Sequence, residues 1–294
     1  ERWSDSYRRK LTADSLFAVQ GEITREIADA LEAQLTSREQ ERVAGRPTED
    51  LNAFQLYAEG RQRLARRSAL ADEHVQEALR LFRRAIEQDS SFALAWSGLA
   101  DAAADYRYGV SDTAVAPLEW SGLTDAAADN RPAVPDTVVA PEVSQEFAAR
   151  RALELDPDLA EAHASMGYLH YQTHDAPAAL RELRRAVELK PSYWEAHHRL
   201  GWLYVILDRP ERALEHFKLA VELNPQHAWA RHGLYDAYNW AGRPKKSLRE
   251  ARHQKRMGLE HLDAIGGEVR ALMSLGRLDE ARELAEKHVS KLSV

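Results

Sequence analysis

Apolar and small residues run along most of this chain as pairs of stripes, with steps of three and four residues inside a stripe and a longer period between pairs. Ala152, Ala186 and Ala220 stand 34 residues apart, as do Pro157, Pro191 and Pro225, inside the phrases RALELDP, RAVELKP and LAVELNP. Gly167 and Gly201 keep the same interval. The short steps belong to amphipathic helices, and the long period marks stacked units that each lend a face to a shared core. Trp194 to His227 shows one whole unit: Leu200-Gly201, Tyr204, Ala213, Phe217, Ala220 and Pro225. Small residues at Gly201 and Ala213 let two antiparallel helices approach while Leu200, Tyr204 and Phe217 fill the seam. Proline after the second helix ends it for want of an N–H. Pro177, Pro210 and Pro244 mark second-helix starts, where Asp175 and Asp208 are predicted caps.

These positions and their 34-residue interval resemble the tetratricopeptide repeat. The resemblance implies an all-α, right-handed superhelical solenoid of antiparallel helix pairs, about six units long. The units read as 50–92, 93–159, 160–193, 194–227, 228–261 and 262–294. The middle ones are regular and the ends eroded: Ser90 stands where proline belongs, and the fifth unit carries Ser247 and Gln254 in place of alanines. Atypical terminal units are usual in solenoids.

The second unit contains a duplication. The 24-residue phrase from Trp96 is followed without a gap by a second from Trp120, the two matching at 16 positions. A period of 24 cannot supply another 34-residue unit, so the block is expected as an insertion at about 106–144. Trp96–Asp105 is expected to hold the solenoid position, because it directly follows Phe92, and Trp120–Asp129 to form an additional helix. Two near-identical helices also permit exchange between chains.

Residues 1–49 are expected to form a linker and an amphipathic helix. Leu16, Val19, Ile23, Ile27, Leu31 and Leu35 make one stripe there, which caps the first repeat or connects to an upstream domain. Trp3, Tyr7, Leu11, Phe17, Gln20, Ile23 and Ile27 resemble the junction in bacterial signalling proteins where a TolB/FlgO-like domain precedes tetratricopeptide repeats. That resemblance implies a piece of a longer protein, with an adenylate cyclase, protein kinase or transcriptional regulator as its other part.

Composition narrows the function. The 294 residues are 44% apolar and 30% charged, as in a folded soluble protein, and a net charge of -7 argues against nucleic acid as the main partner. No apolar run is long enough to insert in a membrane. The compartment expected is cytoplasmic, with the periplasm as the alternative. With no cysteine, thiol catalysis and cysteine-ligated zinc are excluded. No phosphate-binding, zinc-protease or serine-hydrolase motif is present, so neither an enzyme nor a cofactor is expected. His170 and His174 share a helical face but lack a third ligand, so no metal is expected. Basic residues cluster twice, at Arg61, Arg63, Arg66, Arg67, Arg83 and Arg84, and at seven positions from Arg243 to Arg256. Both are read as solvated faces, with docking of an acidic partner as the alternative.

In stacked helix pairs the first helices line the concave side. Counting from the start of each unit, places two, five, nine, twelve and thirteen point away from the seam. This selects Tyr168 and Tyr171, His198 and Trp202, then Trp229, His232, Asp236, Asn239 and Trp240 as a peptide-binding groove. Rigid aromatic surface with a few polar groups suits peptide contact. Repeats that clamp a C-terminal carboxylate want asparagine at place nine, where this chain has Tyr168, Trp202 and Asp236. The expected function is a scaffold that binds a peptide or protein on its concave face, as the docking or sensory region of a bacterial signalling protein. Self-association into a homodimer is the rival.

Overall fold

The structure, a computed structural model, describes residues 46–65, 73–110, 145–257 and 262–292. The predicted N-terminal helix and the second copy of the duplicated phrase lie outside them. All regular structure among the described residues is helical: α1 Leu51–Ala65, α2 Glu73–Gln88, α3 Ala93–Val110, α4 Gln145–Leu155, α5 Ala160–Gln172, α6 Ala176–Leu189, α7 Trp194–Ile206, α8 Pro210–Leu223, α9 Ala228–Trp240, α10 Pro244–Arg256, α11 Leu262–Ser274 and α12 Leu278–Leu292. Consecutive helices pair, and each second helix also packs on the first helix of the next pair. First helices pack on the next first helix, whereas no described second helix packs on the next second helix. The stack therefore bends toward its first helices, which form the inner face. Trp96–Asp105 lies in α3, packed on α2, α4 and α5.

The seam is built from a ring that occupies two slots at once. Phe217, fully buried on α8, lies against Gly201 of its own first helix and Gly233 of the next. A Cβ on Gly201 would come within 2.6 Å of that ring, so only hydrogen fits there. Phe82 fills the equivalent space between Gly60 and Gly98. The fifth unit solves the same problem in reverse. Ala251 stands where Phe217 stood one repeat earlier, and Tyr235 stands where Gly201 stood. The Tyr235 ring, fully buried, fills the slot from the opposite helix and lies against Gly267. Large and small have changed places across the seam, so the volume filled is kept.

The turn inside each of the third to sixth units holds one left-handed residue, and it recurs at the period: His174 (φ 62°), Asp208 (φ 54°), Gly242 (φ 67°) and Gly276 (φ 72°). In each turn the following amide reaches back to a carbonyl on the last helical turn, for example Asp175 to His170 (2.8 Å) and Arg243 to Tyr238 (2.8 Å). This is the arrangement that satisfies exposed carbonyls at a helix end. Asp175 caps α6 by accepting from the Ala178 amide (3.1 Å). The predicted cap at Asp208 is corrected: that residue takes the left-handed position, and Arg209 precedes α8 without a side-chain cap.

A second device joins the units. The fourth residue of a first helix donates to the carbonyl six residues back, in the preceding inter-unit turn. Trp96 Nε1 reaches Ser90 (2.9 Å), His163 Nε2 reaches Pro157 (3.0 Å), His197 Nε2 reaches Pro191 (3.0 Å) and Arg231 Nε reaches Pro225 (2.9 Å). In three units the same side chain also bonds the second helix: His163 with Glu182 (2.8 Å), His197 with His216 (3.1 Å) and Arg231 with Glu250. Since a carbonyl only accepts, His197 donates from Nε2 to Pro191, and in its neutral form it accepts at Nδ1 from His216. Burial, then the neighbouring His197, Arg212 and Arg184, lower the His216 pKa to about 4. At His163 burial opposes protonation, but hydrogen bonds to Glu182 and Pro157 outweigh it and raise the pKa.

Two outcomes follow for stability. Tyr235→Gly should cost about 3–5 kcal/mol by leaving a cavity, and adding Ala251→Phe should recover more than half of it in urea titrations, because the ring then enters from α10. His216 is depressed in the folded state, so the unfolded chain takes up its proton first. Stability therefore falls as pH drops from about 6.5, the ordinary histidine value, toward about 4. His216→Glu restores a carboxylate opposite His197, and its urea midpoint should fall less than that of the parent chain between about pH 7 and pH 5.

Candidate functional site on the inner face

Four successive first helices are joined by one buried polar network. Asp101 of α3 accepts at Oδ1 from Arg199 of α7 (2.7 Å) and from Ser165 of α5 (2.6 Å), and at Oδ2 from Arg61 of α1 (3.2 Å). Arg61 donates a further bond to Glu195 of α7 (2.7 Å). Arg61 and Glu195 belong to the first and fourth units, and they meet because the inner face curves tightly enough to bring them across it. Burial pushes the Asp101 carboxyl up, but the Arg199 and Arg61 charges and the Ser165 hydroxyl hold it below its ordinary value. Glu195 is raised, because burial outweighs Arg61. A cavity of about 210 Å³ opens beside this network, lined also by Asp105, Trp194, Asn224 and His227.

Further along the same face lie the aromatic groups. Trp202 is the hub: its ring centre is 5.5 Å from Phe217, 5.5 Å from His232 and 5.6 Å from Trp240, and its Nε1 donates to His198 Nε2 (3.1 Å). Trp229 stands 5.5 Å from His232. Tyr168 and Tyr171 stack at 5.8 Å, and the Arg199 guanidinium lies 5.1 Å from the Tyr168 ring centre. Trp240 is 46% exposed, while Tyr168, Tyr171, His198, Trp202, Trp229, His232 and Asn239 are half-buried. Asp236 is buried, accepting from Arg270 (2.7 Å) beside His232 (3.3 Å), so its carboxylate is engaged within the protein.

Of the nine predicted groove residues, His198, Trp202, Trp229, His232 and Trp240 thus form one contiguous ring cluster. Tyr168 and Tyr171 stack on each other beside Arg199, Asp236 serves the packing between units, and Asn239 lies half-buried one residue before Trp240. Sequence reasoning missed Arg61, Asp101, Glu195 and Arg199. The reading of Arg61 as part of a solvated basic face is corrected, because it bridges two carboxylates on the inner face. A signal existed: Asp101 occupies place nine and Glu195 place two of their units, on the stripe already singled out. Place nine of the second to sixth units reads Asp101, Tyr168, Trp202, Asp236 and Arg270, and in the first unit Arg61 follows Gly60 as Trp202 follows Gly201. The inner column therefore has an ion pair at each end, Arg61 with Asp101 and Asp236 with Arg270, and two rings between them.

Among the described residues no three His, Asp or Glu side chains are placed to hold a metal ion, and no helix is long and apolar enough to cross a membrane.

Comparisons agree with this architecture. The tetratricopeptide-repeat family model matches residues 67–105 and 165–228. A solved structure of PilW, a widely conserved type IV pilus biogenesis factor, superposes with a TM-score of 0.53 at 16% identity, covering 83% of this chain and 95% of that one. PilF of Pseudomonas aeruginosa gives a TM-score of 0.48 at 16% identity over 82% of this chain and 90% of its own. In sequence, 98 residues are 37% identical to "Putative adenylate cyclase 3" of Rhizobium meliloti, and the match spans 33% of this chain and 16% of that relative. The chain carries a tetratricopeptide-repeat domain.

The Asp101 network yields a stability test. Asp101→Asn leaves Arg61 and Arg199 buried with one carboxylate fewer, and should cost about 3 kcal/mol. Removing the exposed Glu211–Arg243 pair by Glu211→Gln should cost under about 1 kcal/mol. Chemical denaturation of both variants measures the contrast.

Proposed function

We propose that the domain is a protein-interaction scaffold whose inner face, from Tyr168 to Trp240, receives a peptide or protein segment. The observation that carries this reading is the ring cluster around Trp202, with Trp240 at its exposed edge. Rings already held by their neighbours lose little entropy on binding, and flat aromatic surface with imidazole and amide groups at its margin suits a backbone with mixed side chains. The neighbouring ion pairs close the two ends of the column, so the rings are the part of place nine left to a ligand. The adenylate cyclase name of the Rhizobium meliloti relative supports a setting in which this domain docks or senses within a larger bacterial signalling protein.

A peptide library displayed on phage and selected against the purified domain tests this. It should return a consensus whose affinity falls about 10- to 100-fold on Trp240→Ala, as for an interface hot spot, with thermal unfolding little changed because that ring is half exposed. Selected peptides that bind the Trp240→Ala and Tyr168→Ala variants with undiminished affinity would place the ligand elsewhere.

A further inference from the structure

The second-helix side of the fifth unit carries a feature the inner face does not use. A cavity of about 550 Å³ lies between α10 and the turn joining α11 to α12, lined by Lys245, Arg249, Arg252, Arg256 and Arg277 with Leu248 and Leu275. All five charged groups that line it are cationic. Arg252 donates to Glu268 (2.7 Å) and Arg277 to Glu280 (2.6 Å). Lys245, Arg249 and Arg256 are exposed and have no ion pair among the described residues. The only acid of α10, Glu250, is turned to Arg231 on the other side of the helix.

The spacing says more than the charge. Positions 245, 249, 252 and 256 step by four, three and four, which places them in one row along a helix surface. At about 1.5 Å per residue the row is about 16 Å long, with successive cations about 5–6 Å apart. An extended peptide covers that length in about five residues, and its alternate side chains point the same way about 6.6 Å apart. Three carboxylates at alternate positions would therefore meet the row. Arg guanidiniums pair with carboxylates through two parallel N–H bonds. Leu275, half-buried, and the edge of the largely buried Leu248 also line the groove and offer contact to an apolar side chain.

We propose that this groove is a second docking site, for an acidic extended segment of a protein partner in which carboxylates alternate with apolar residues. A polyphosphate backbone could match the charge but not the two leucines, and the chain's net charge of -7 repels nucleic acid at longer range.

Fluorescence anisotropy with a labelled six-residue peptide of alternating Glu and Leu tests the proposal on the whole chain. Saturable, salt-sensitive binding is expected, together with its loss when Gln replaces Glu in the peptide. The triple variant Lys245→Gln, Arg249→Gln, Arg256→Gln should bind about tenfold more weakly. Arg249→Glu alone should weaken binding while leaving the circular-dichroism melt unchanged, and Trp240→Ala should bind as the parent does, which separates this site from the inner face. Equal binding by the triple variant and the parent overturns the proposal. Displacement of the peptide by an oligothymidylate or by inorganic phosphate at lower concentration than by unlabelled peptide also overturns it, in favour of a nucleic-acid surface or a small-anion site.

Discussion

A single ring lodged between two first helices does most to hold this architecture together. Phe217 fills a space that exists only because Gly201 and Gly233 carry no side chain. The ring therefore fixes the distance within its own unit and the approach of the next one at the same time. Phe82 does this earlier in the chain and Tyr235, entering from the opposite helix, does it later. First helices are drawn close to one another while second helices stay apart, and the inner face curves. Every functional feature on that face depends on this curvature, including the bond from Arg61 to Glu195 across it.

Around that packing the chain varies its chemistry while keeping its geometry. Tryptophan, two histidines and an arginine perform one task at four unit junctions, donating an N–H to the carbonyl six residues back. What the task requires is a donor of the right reach, and several residue types supply it. The choice matters elsewhere. Where the second-helix partner is Glu182 or Glu250 the junction holds an opposite charge, and where it is His216 the junction holds two imidazoles that cannot both be protonated without repulsion. Units alike in packing thus differ in their response to acid.

The inner column divides the face by chemistry. An ion pair with a buried carboxylate costs desolvation and adds little net stability, so Arg61–Asp101 and Asp236–Arg270 are better understood as fixing positions than as a source of free energy. Between them Tyr168 and Trp202 present rings, with Trp240 and His198 alongside. The cationic row of α10 lies on the other side of the stack. A ligand on one side and a ligand on the other would therefore leave each other's surface free, a use of both faces that a two-layer stack of helices permits.

The sequence by itself determined the helix pairs, their 34-residue period, the small positions of the seam and the face on which aromatic residues gather. All of these depend on contacts within a unit or with the next one, and such contacts leave a periodic mark. It did not disclose that Tyr235 and Ala251 exchange roles, because the packed volume is shared between two positions and neither residue alone looks like the motif. Nor did it disclose that Asp208 takes the left-handed turn position, since aspartate suits both a cap and that conformation. Arg61, Asp101, Glu195 and Arg199 were legible only as separate charges. Whether an arginine is solvated or buried against a carboxylate 134 positions away is decided by the curvature summed over three unit junctions, and no local pattern encodes that sum.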